Sequence, residues 1–477
     1  MGFDSDCCKY VEQKTDSILS AATFTPHTNR VVFEDCLTRL FQAKGPRHDH
    51  TFTGIELFET FMRPADQALR HSTAQIYIIT VDDARGVPKE KSMTQAARSA
   101  AASQKDILPY PATYQFHDEG IVDSAQENAP IELIDIRRLL RTRSMRMSLW
   151  RFMDELIQRK VLIPEKKMLI FNFDRDGPTV YTNRQCHIEP NWKHSLGEAD
   201  LSAPFFYWLF RSSPIYVVST DSDFLAIGLS YLYSTPKEHH PPELIWERRR
   251  TKQPEPERVD LIKLYHALPE ATGLSIPQFL LVCILSGSDY NKKKPVAHMF
   301  NSISLFDAMK KLKPEINEDG ITLADLILFN RQLFTNKLGV THNEIKASQR
   351  KVGTKRKQDD CKADNDDEDE DEGKQQPPQK QQKLLSTSTD TDEEKNDIPK
   401  LYNQACNGLY TLKQIEHKMK NGALGRHLIP SNQELHDRLS MINFNLVYWL
   451  ESWKSYTHLQ DWNKLRESSV FVNANIV

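Results

Sequence analysis

The sequence predicts an α/β fold on a largely parallel central sheet flanked by helices, and two observations carry that reading. From about residue 29 to 340 short apolar runs alternate with helical patterns, and acidic residues recur just after those runs, where parallel strands would end. Four runs read as strands: Val31 to Phe33, Ile76 to Val81, Met168 to Phe173 and Ile215 to Ser219. Residues 131–160 read as a long, basic, amphipathic helical stretch, with Arg137, Arg138, Arg141, Arg143, Arg146 and Arg151 beside Trp150. In LIFNFDRDGPTVY an Asp-Gly step separates two apolar segments, so residues 166–190 are expected to hold a hairpin insertion, with Asp174 and Asp176 as turn residues. Helices are expected to begin at Glu198-Ala-Asp200, running through Phe205 to Phe210, and at Asp221-Ser-Asp223, running through Phe224 to Leu229.

Residues 1–28 form an N-terminal extension and residues 29–340 the main domain. Over 341–400 the rhythm breaks: QRKVGTKRK is basic, DNDDEDEDE acidic and KQQPPQKQQK of low complexity, the signature of a disordered charged linker. Apolar periodicity returns in 401–477, where INFNLVYWLESW predicts a helical region that folds back onto the main domain to bury Phe444, Tyr448 and Trp449.

Hydrophobic residues make up 39% of the 477, below the roughly 45 to 50% of compact soluble chains, and 27% are charged. Residues 359–397 hold 15 Asp or Glu against 5 Lys, so the net charge of -3 conceals a mildly basic remainder. Such a surface suits a polyanion such as nucleic acid. The apolar runs fall short of the ~20 residues of a membrane span and the first residues lack a signal-peptide apolar core, so no membrane partner and an intracellular location are expected. GTKRK near Lys355 fits a nuclear import signal. The seven cysteines are scattered without a CxxC pair and read as free thiols.

Five acidic groups stand out: Glu34 and Asp35 in VVFED, Asp82 and Asp83 in IYIITVDD, Glu198 and Asp200 in LGEAD, Asp221 and Asp223 in IYVVSTDSD, and Asp289 in CILSGSDY. Taken singly, each also suits a helix cap or a solvated turn. Carboxylates converging on one spot would repel and raise one another's pKa unless cations neutralised them. Hard divalent ions are the natural solution, and two Mg²⁺ about 4 Å apart can activate water and stabilise the leaving oxygen of a phosphodiester.

The order GEAD, then TDSDFLA, then LVCILSGSDY resembles the flap endonuclease/XPG group of 5′ nucleases, within the PIN-like superfamily, over about residues 29 to 312. The resemblance implies a PIN-like 5′ nuclease fold and a metal-dependent phosphodiesterase, with Glu198, Asp200, Asp221, Asp223 and Asp289 as ligands of two Mg²⁺ or Mn²⁺. Upstream it implies Asp35 rather than Glu34, and Asp82 rather than Asp83. Lys91, Gln95 and Arg98 stand at i, i+4 and i+7 on one predicted helix stripe. By the resemblance Lys91 and Arg98 touch the scissile phosphate, while Gln95 matches the Xrn-type 5′ exoribonucleases of the same superfamily, which receive a 5′-phosphate. Residues 131–160 resemble the helical arch that threads a single-stranded 5′ end, with Arg137, Arg138 and Arg141 as substrate contacts. After Asp289, YNKKKPVAHMF lacks the family's glycine-rich duplex-gripping motif, and the tail has no recognisable sliding-clamp box. The expectation is structure-selective, flap-type cleavage of DNA in replication or repair. An Xrn-like exonuclease on 5′-phosphorylated RNA and an inactive PIN-like nucleic-acid scaffold are the alternatives.

Overall fold

In the computed structural model the described residues are 11–12, 14–20, 29–35, 51–71, 74–81, 127–128, 130–132, 143–174, 176–183, 185–192, 199–248, 256–287, 302–317, 320–338 and 432–454. The strands are β1 (Ile18–Leu19), β2 (Val31–Asp35), β3 (Thr51–Thr53), β4 (Ile76–Thr80), β5 (Pro130–Glu132), β6 (Met168–Asn172), β7 (Thr179–Thr182), β8 (Gln185–Ile188), β9 (Ile215–Ser219), β10 (Leu244–Arg248) and β11 (Glu257–Asp260). Nine of them form one sheet in the order β1-β11-β10-β9-β2-β4-β6-β7-β8, while β3 pairs with β5 apart from it. The four runs read from the sequence are neighbours in that sheet, β9, β2, β4 and β6, and they pair parallel.

The expected largely parallel sheet needs correction, because the sheet is mixed. Parallel pairing extends only from β10 to β6. On one side the chain returns on itself through β6, β7 and β8, and on the other β10 is followed by antiparallel β11 and β1. The first of these edges follows from the Asp-Gly turn. Gly177 there has φ +123°, and a Cβ at that position would lie 2.4 Å from the Glu189 carbonyl oxygen, so only glycine fits.

Helices cover both faces. One face meets α1 (Gly54–Arg70) and α2 (Arg143–Lys160), whose Leu57, Phe58, Phe61, Trp150, Met153 and Leu156 pack with Val32, Tyr77, Ile79, Phe171 and Tyr216 of the sheet. A reciprocal capping box starts α1: Glu56 N donates to Thr53 Oγ1 and Thr53 N to Glu56 Oε2. The other face meets α3 (Ala199–Leu209) and α4 (Asp223–Ser234). Phe33 of β2 touches Phe206 and Tyr207 of α3 and Phe224 of α4, with ring centroids 6.0 to 6.2 Å apart. Beyond α4 come α5 (Leu261–Thr272), α6 (Ile276–Ser286) and α7 (Ser302–Leu312). Every residue of α6 but Gln278 is buried, as expected of a core helix whose sequence is IPQFLLVCILS.

Two compact units divide the chain. The first holds Met1–Pro295, Asn301–Ile321 and Asp437–Val477, hence the sheet, α1 to α7 and most of α9 (Asn432–Glu451). Within it Asn443 of α9 clamps Ile321, accepting from its N–H at 2.9 Å and donating to its carbonyl at 3.0 Å. Ser230 of α4 donates to the Trp449 carbonyl. The second unit holds Val296–Phe300 and Thr322–His436, including α8 (Leu323–Leu338), which Thr322 caps through the Asp325 N–H.

The stretch read as one arch-like helix also departs from expectation. Residues 130–132 are strand β5, and helix α2 is described over Arg143–Lys160. Trp150 is fully buried, 6.2 Å from the Phe61 ring, and Arg146 is itself buried. An apolar row of Met147, Trp150, Met153 and Ile157 glues α2 to the core, so Trp150 is no stacking platform for bases. Arg137, Arg138 and Arg141 lie outside the described residues. Part of the N-terminal extension, by contrast, belongs to the sheet. β1 pairs with β11, and Glu12, 1% exposed, accepts from Arg248 Nη1 at 2.8 Å.

Candidate functional site

Strands β9, β2 and β4 run parallel, so their C-terminal ends share one edge, the position where open α/β sheets form crevices. The sequence places acidic residues there because each strand is a short apolar run closed by carboxylates. Register sets the level: Glu34 pairs with Val218 of β9, and Asp35 with Thr80 of β4.

Alternation along β2 separates its two acidic side chains. Val32 and Glu34 point to the α1/α2 face. Glu34 is buried, and the Tyr77 hydroxyl donates a hydrogen bond to its Oε2. Phe33 and Asp35 point to the other face, where Phe33 already touches α3 and α4. Asp35 is half-buried and shares its face with the helices that carry Asp200 and Asp223.

Asp200 lies in the first turn of α3, with its Oδ1 accepting from the Leu201 N–H at 2.9 Å. One face further along that helix, Tyr207 is fully buried. Burial pushes its phenol well up, with Tyr231 and then Asp200 adding to the effect. Asp221 stands between β9 and α4. Its N–H donates to Ser219 Oγ at 3.0 Å, and its Oδ1 accepts from the Asp223 N–H at 3.1 Å, a local turn that opens the helix. Asp223 begins α4 and is buried at 7% exposure. Both helix starts favour negative charge through the exposed N–H groups and the helix dipole. Asp221 thus serves as a turn residue just ahead of α4, a role compatible with further use of its remaining carboxylate oxygen.

Four of the seven predicted ligands, Asp35, Asp200, Asp221 and Asp223, are thus set along one sheet edge and the adjoining helix starts. Asp82, Glu198 and Asp289 lie outside the described residues, as do Lys91, Gln95 and Arg98 and the alternative Asp83. Among the described residues, no three His, Cys, Asp or Glu side chains come together as a metal-holding group. The donors present are hard carboxylate oxygens, the type that Mg²⁺ and Mn²⁺ take, and they constitute part of the expected set. Asp174 and Asp176 are turn residues, with the Asp176 N–H donating to Asp174 Oδ1 at 3.3 Å between antiparallel β6 and β7.

Sequence reasoning did not foresee that tyrosines engage two carboxylates, one buried and one half-buried. One is Glu34 with Tyr77. The other is Asp154 of α2, which accepts from the Tyr181 hydroxyl and from Gln158 Nε2. A tyrosine on an otherwise apolar strand, as in IYIIT, was the available signal, since a buried phenol needs a partner. The chain matches no protein-family model and no curated protein. Among the described residues, no helix is long and apolar enough to cross a membrane, and Cys186 and Cys283 are free thiols.

Proposed function

We propose that the protein is a divalent-metal-dependent 5′ nuclease that hydrolyses phosphodiester bonds in DNA, with flap-type, structure-selective cleavage. The observation that supports this most is the placement of Asp35, Asp200, Asp221 and Asp223 on one sheet edge and the helix starts beside it. Like charges are costly to line up on a half-buried edge, and a cationic ligand is the simplest use for them. In this reading Asp82, Glu198 and Asp289 complete the ligand set. The Mg²⁺ or Mn²⁺ ions, when bound, supply an activated water and neutralise charge on the leaving oxygen. Lys91 and Arg98 orient the scissile phosphate and balance its charge, and Gln95 stands beside them on the same predicted stripe. Asp223, buried at the start of α4, holds its carboxylate in place through the helix, and Asp221 is fixed by its bond to the Asp223 N–H.

The test is parallel digestion of labelled flap DNA, nicked DNA and 5′-phosphorylated RNA in Mg²⁺, with Asp221→Asn and Asp223→Asn as variants. Asp221→Asn keeps the Oδ1 acceptor ahead of α4 and Asp223→Asn keeps the backbone N–H that donates to it, so the turn is retained while a ligand charge is removed. Flap DNA is expected to be cut by the wild type, with turnover falling at least ~100-fold in either variant and binding spared. Unchanged turnover in both variants sinks the site assignment. Preference for the RNA moves the reading to the exonuclease, and binding without any cleavage moves it to the scaffold.

A further inference from the structure

Strand β8 ends the nine-stranded sheet, and all four of its residues are exposed, whereas its neighbour β7 is mostly buried. Ile188 retains 57% of its surface, and nearby Leu162 retains 69%. The opposite edge, β1, is only two residues long, the usual way a sheet end is blunted. β8 instead presents a row of outward N–H and C=O groups with an apolar side chain among them. Beside it lies a cavity of about 350 Å³, lined by Ile157, Lys160, Leu162, Tyr181, Gln185 and Cys186 among others.

The strand is complementary to itself. Cys186 is opposite Tyr181, whose hydroxyl reaches Asp154 of α2, so Cys186 and Ile188 share the α2 face while Gln185 and His187 share the other. An antiparallel pair centred on His187 sets Cys186 against Ile188 of the second copy, twice, and keeps both α2 faces on one side. The same register sets the Gln185 amide against the Glu189 carboxylate of the second copy, a donor against an acceptor. Ile188 of the second copy then arrives at the mouth of the cavity that Cys186 and Leu162 line.

We propose that β8 is a homodimerisation edge, pairing antiparallel with β8 of a second copy about a twofold axis at His187. Four residues per copy bury less than the ~1,200 Å² of a stable interface, so the association is reversible, with a Kd of roughly 10 to 100 µM. Sedimentation of the full chain up to about 200 µM measures it. A concentration-dependent dimer is expected, weakened at least ~10-fold by Ile188→Lys, which places an ammonium in the paired edge and leaves a folded monomer by circular dichroism. Under mild oxidation Ile188→Cys is expected to give a disulfide-linked dimer through Cys186 of the other copy, and Ile188→Cys/Cys186→Ser is expected to lose it. A wild-type chain that stays monomeric throughout, or a dimer indifferent to Ile188→Lys, overturns the proposal. So does a cross-link that survives loss of Cys186.

Discussion

Two adjacent acidic residues, Glu34 and Asp35, have opposite fates because a strand alternates its faces. Glu34 is buried under the α1/α2 face with Tyr77, and Asp35 remains on the α3/α4 side of the sheet edge. The VVFED sequence announces a strand ending in carboxylates but cannot say which one faces which layer, since that depends on the helices that cover each side. Trp150 illustrates the converse. Six arginines between 137 and 151 give the segment a basic appearance, yet the apolar stripe through Met147, Trp150 and Met153 decides its place in the core. On the same helix, Asp154 is held largely out of water, and burial raises its carboxyl above the ordinary range, against hydrogen bonds from Tyr181 and Gln158 that lower it. A carboxyl whose folded pKa is raised contributes stability below its unfolded value of about 3.9, and loses that contribution as pH rises through the folded value. Asp154→Asn keeps an acceptor for the Tyr181 hydroxyl and removes the half-buried charge. The variant is therefore expected to melt about 1 to 3 °C above the wild type at pH 8, with the gap closing by about pH 3.5. Thermal scans across pH measure this, and a variant less stable at pH 8 contradicts it.

Among the elements, those with local signals were legible. The Asp-Gly hairpin, the four parallel strands and the helices after Asp200 and Asp223 each carry their own turn or cap chemistry. The strands between β9 and the β1 edge, β10 and β11, did not. LIWER and ERVD are too charged to read as strands, because their polar side chains are satisfied by distant partners. Arg248, 5% exposed, lies between Glu12 and Glu257 and over the Trp246 ring, and Glu247 accepts from Arg258. Glu12 comes from the N-terminal segment, 236 residues away in sequence, which is why that segment looked like an appendage. Glu12→Ala leaves Arg248 buried with the 3.4 Å contact to Glu257 and the Trp246 ring. Breaking a buried pair from one side costs about 3 to 5 kcal/mol, so the urea midpoint should fall markedly, and Glu12→Gln should recover part of it. A loss below about 1 kcal/mol in Glu12→Ala would mean the pair is solvated and the N-terminal segment is not held by it.

At the scale of the whole molecule, the sheet order makes one edge the convergence point of β9, β2 and β4, and the sequence had placed a carboxylate after each. That much was legible because strand ends and acidic residues are both local. The distances that would make a metal site were not, since they depend on how loops between strands close over the edge. A readout of the folded chain as a unit addresses the site without requiring a substrate. In the proposed site, with no divalent cation, the carboxylates of Asp35, Asp200, Asp221 and Asp223 repel more in the folded state than in the unfolded chain. A cation that binds only the folded state adds stability as RT ln(1 + [L]/Kd), about 2.7 kcal/mol at a hundred times Kd. For a chain of this size that amounts to a rise in Tm of about 3 °C on adding Mg²⁺ or Mn²⁺ at matched ionic strength. Asp223→Asn removes one charge from the edge, so it should melt at or above the wild type without the cation and gain little when it is added. An equal gain in both chains would mark ordinary screening of the acidic segment 364–372 rather than a site at the sheet edge, and no gain in either would remove the metal from the proposed chemistry.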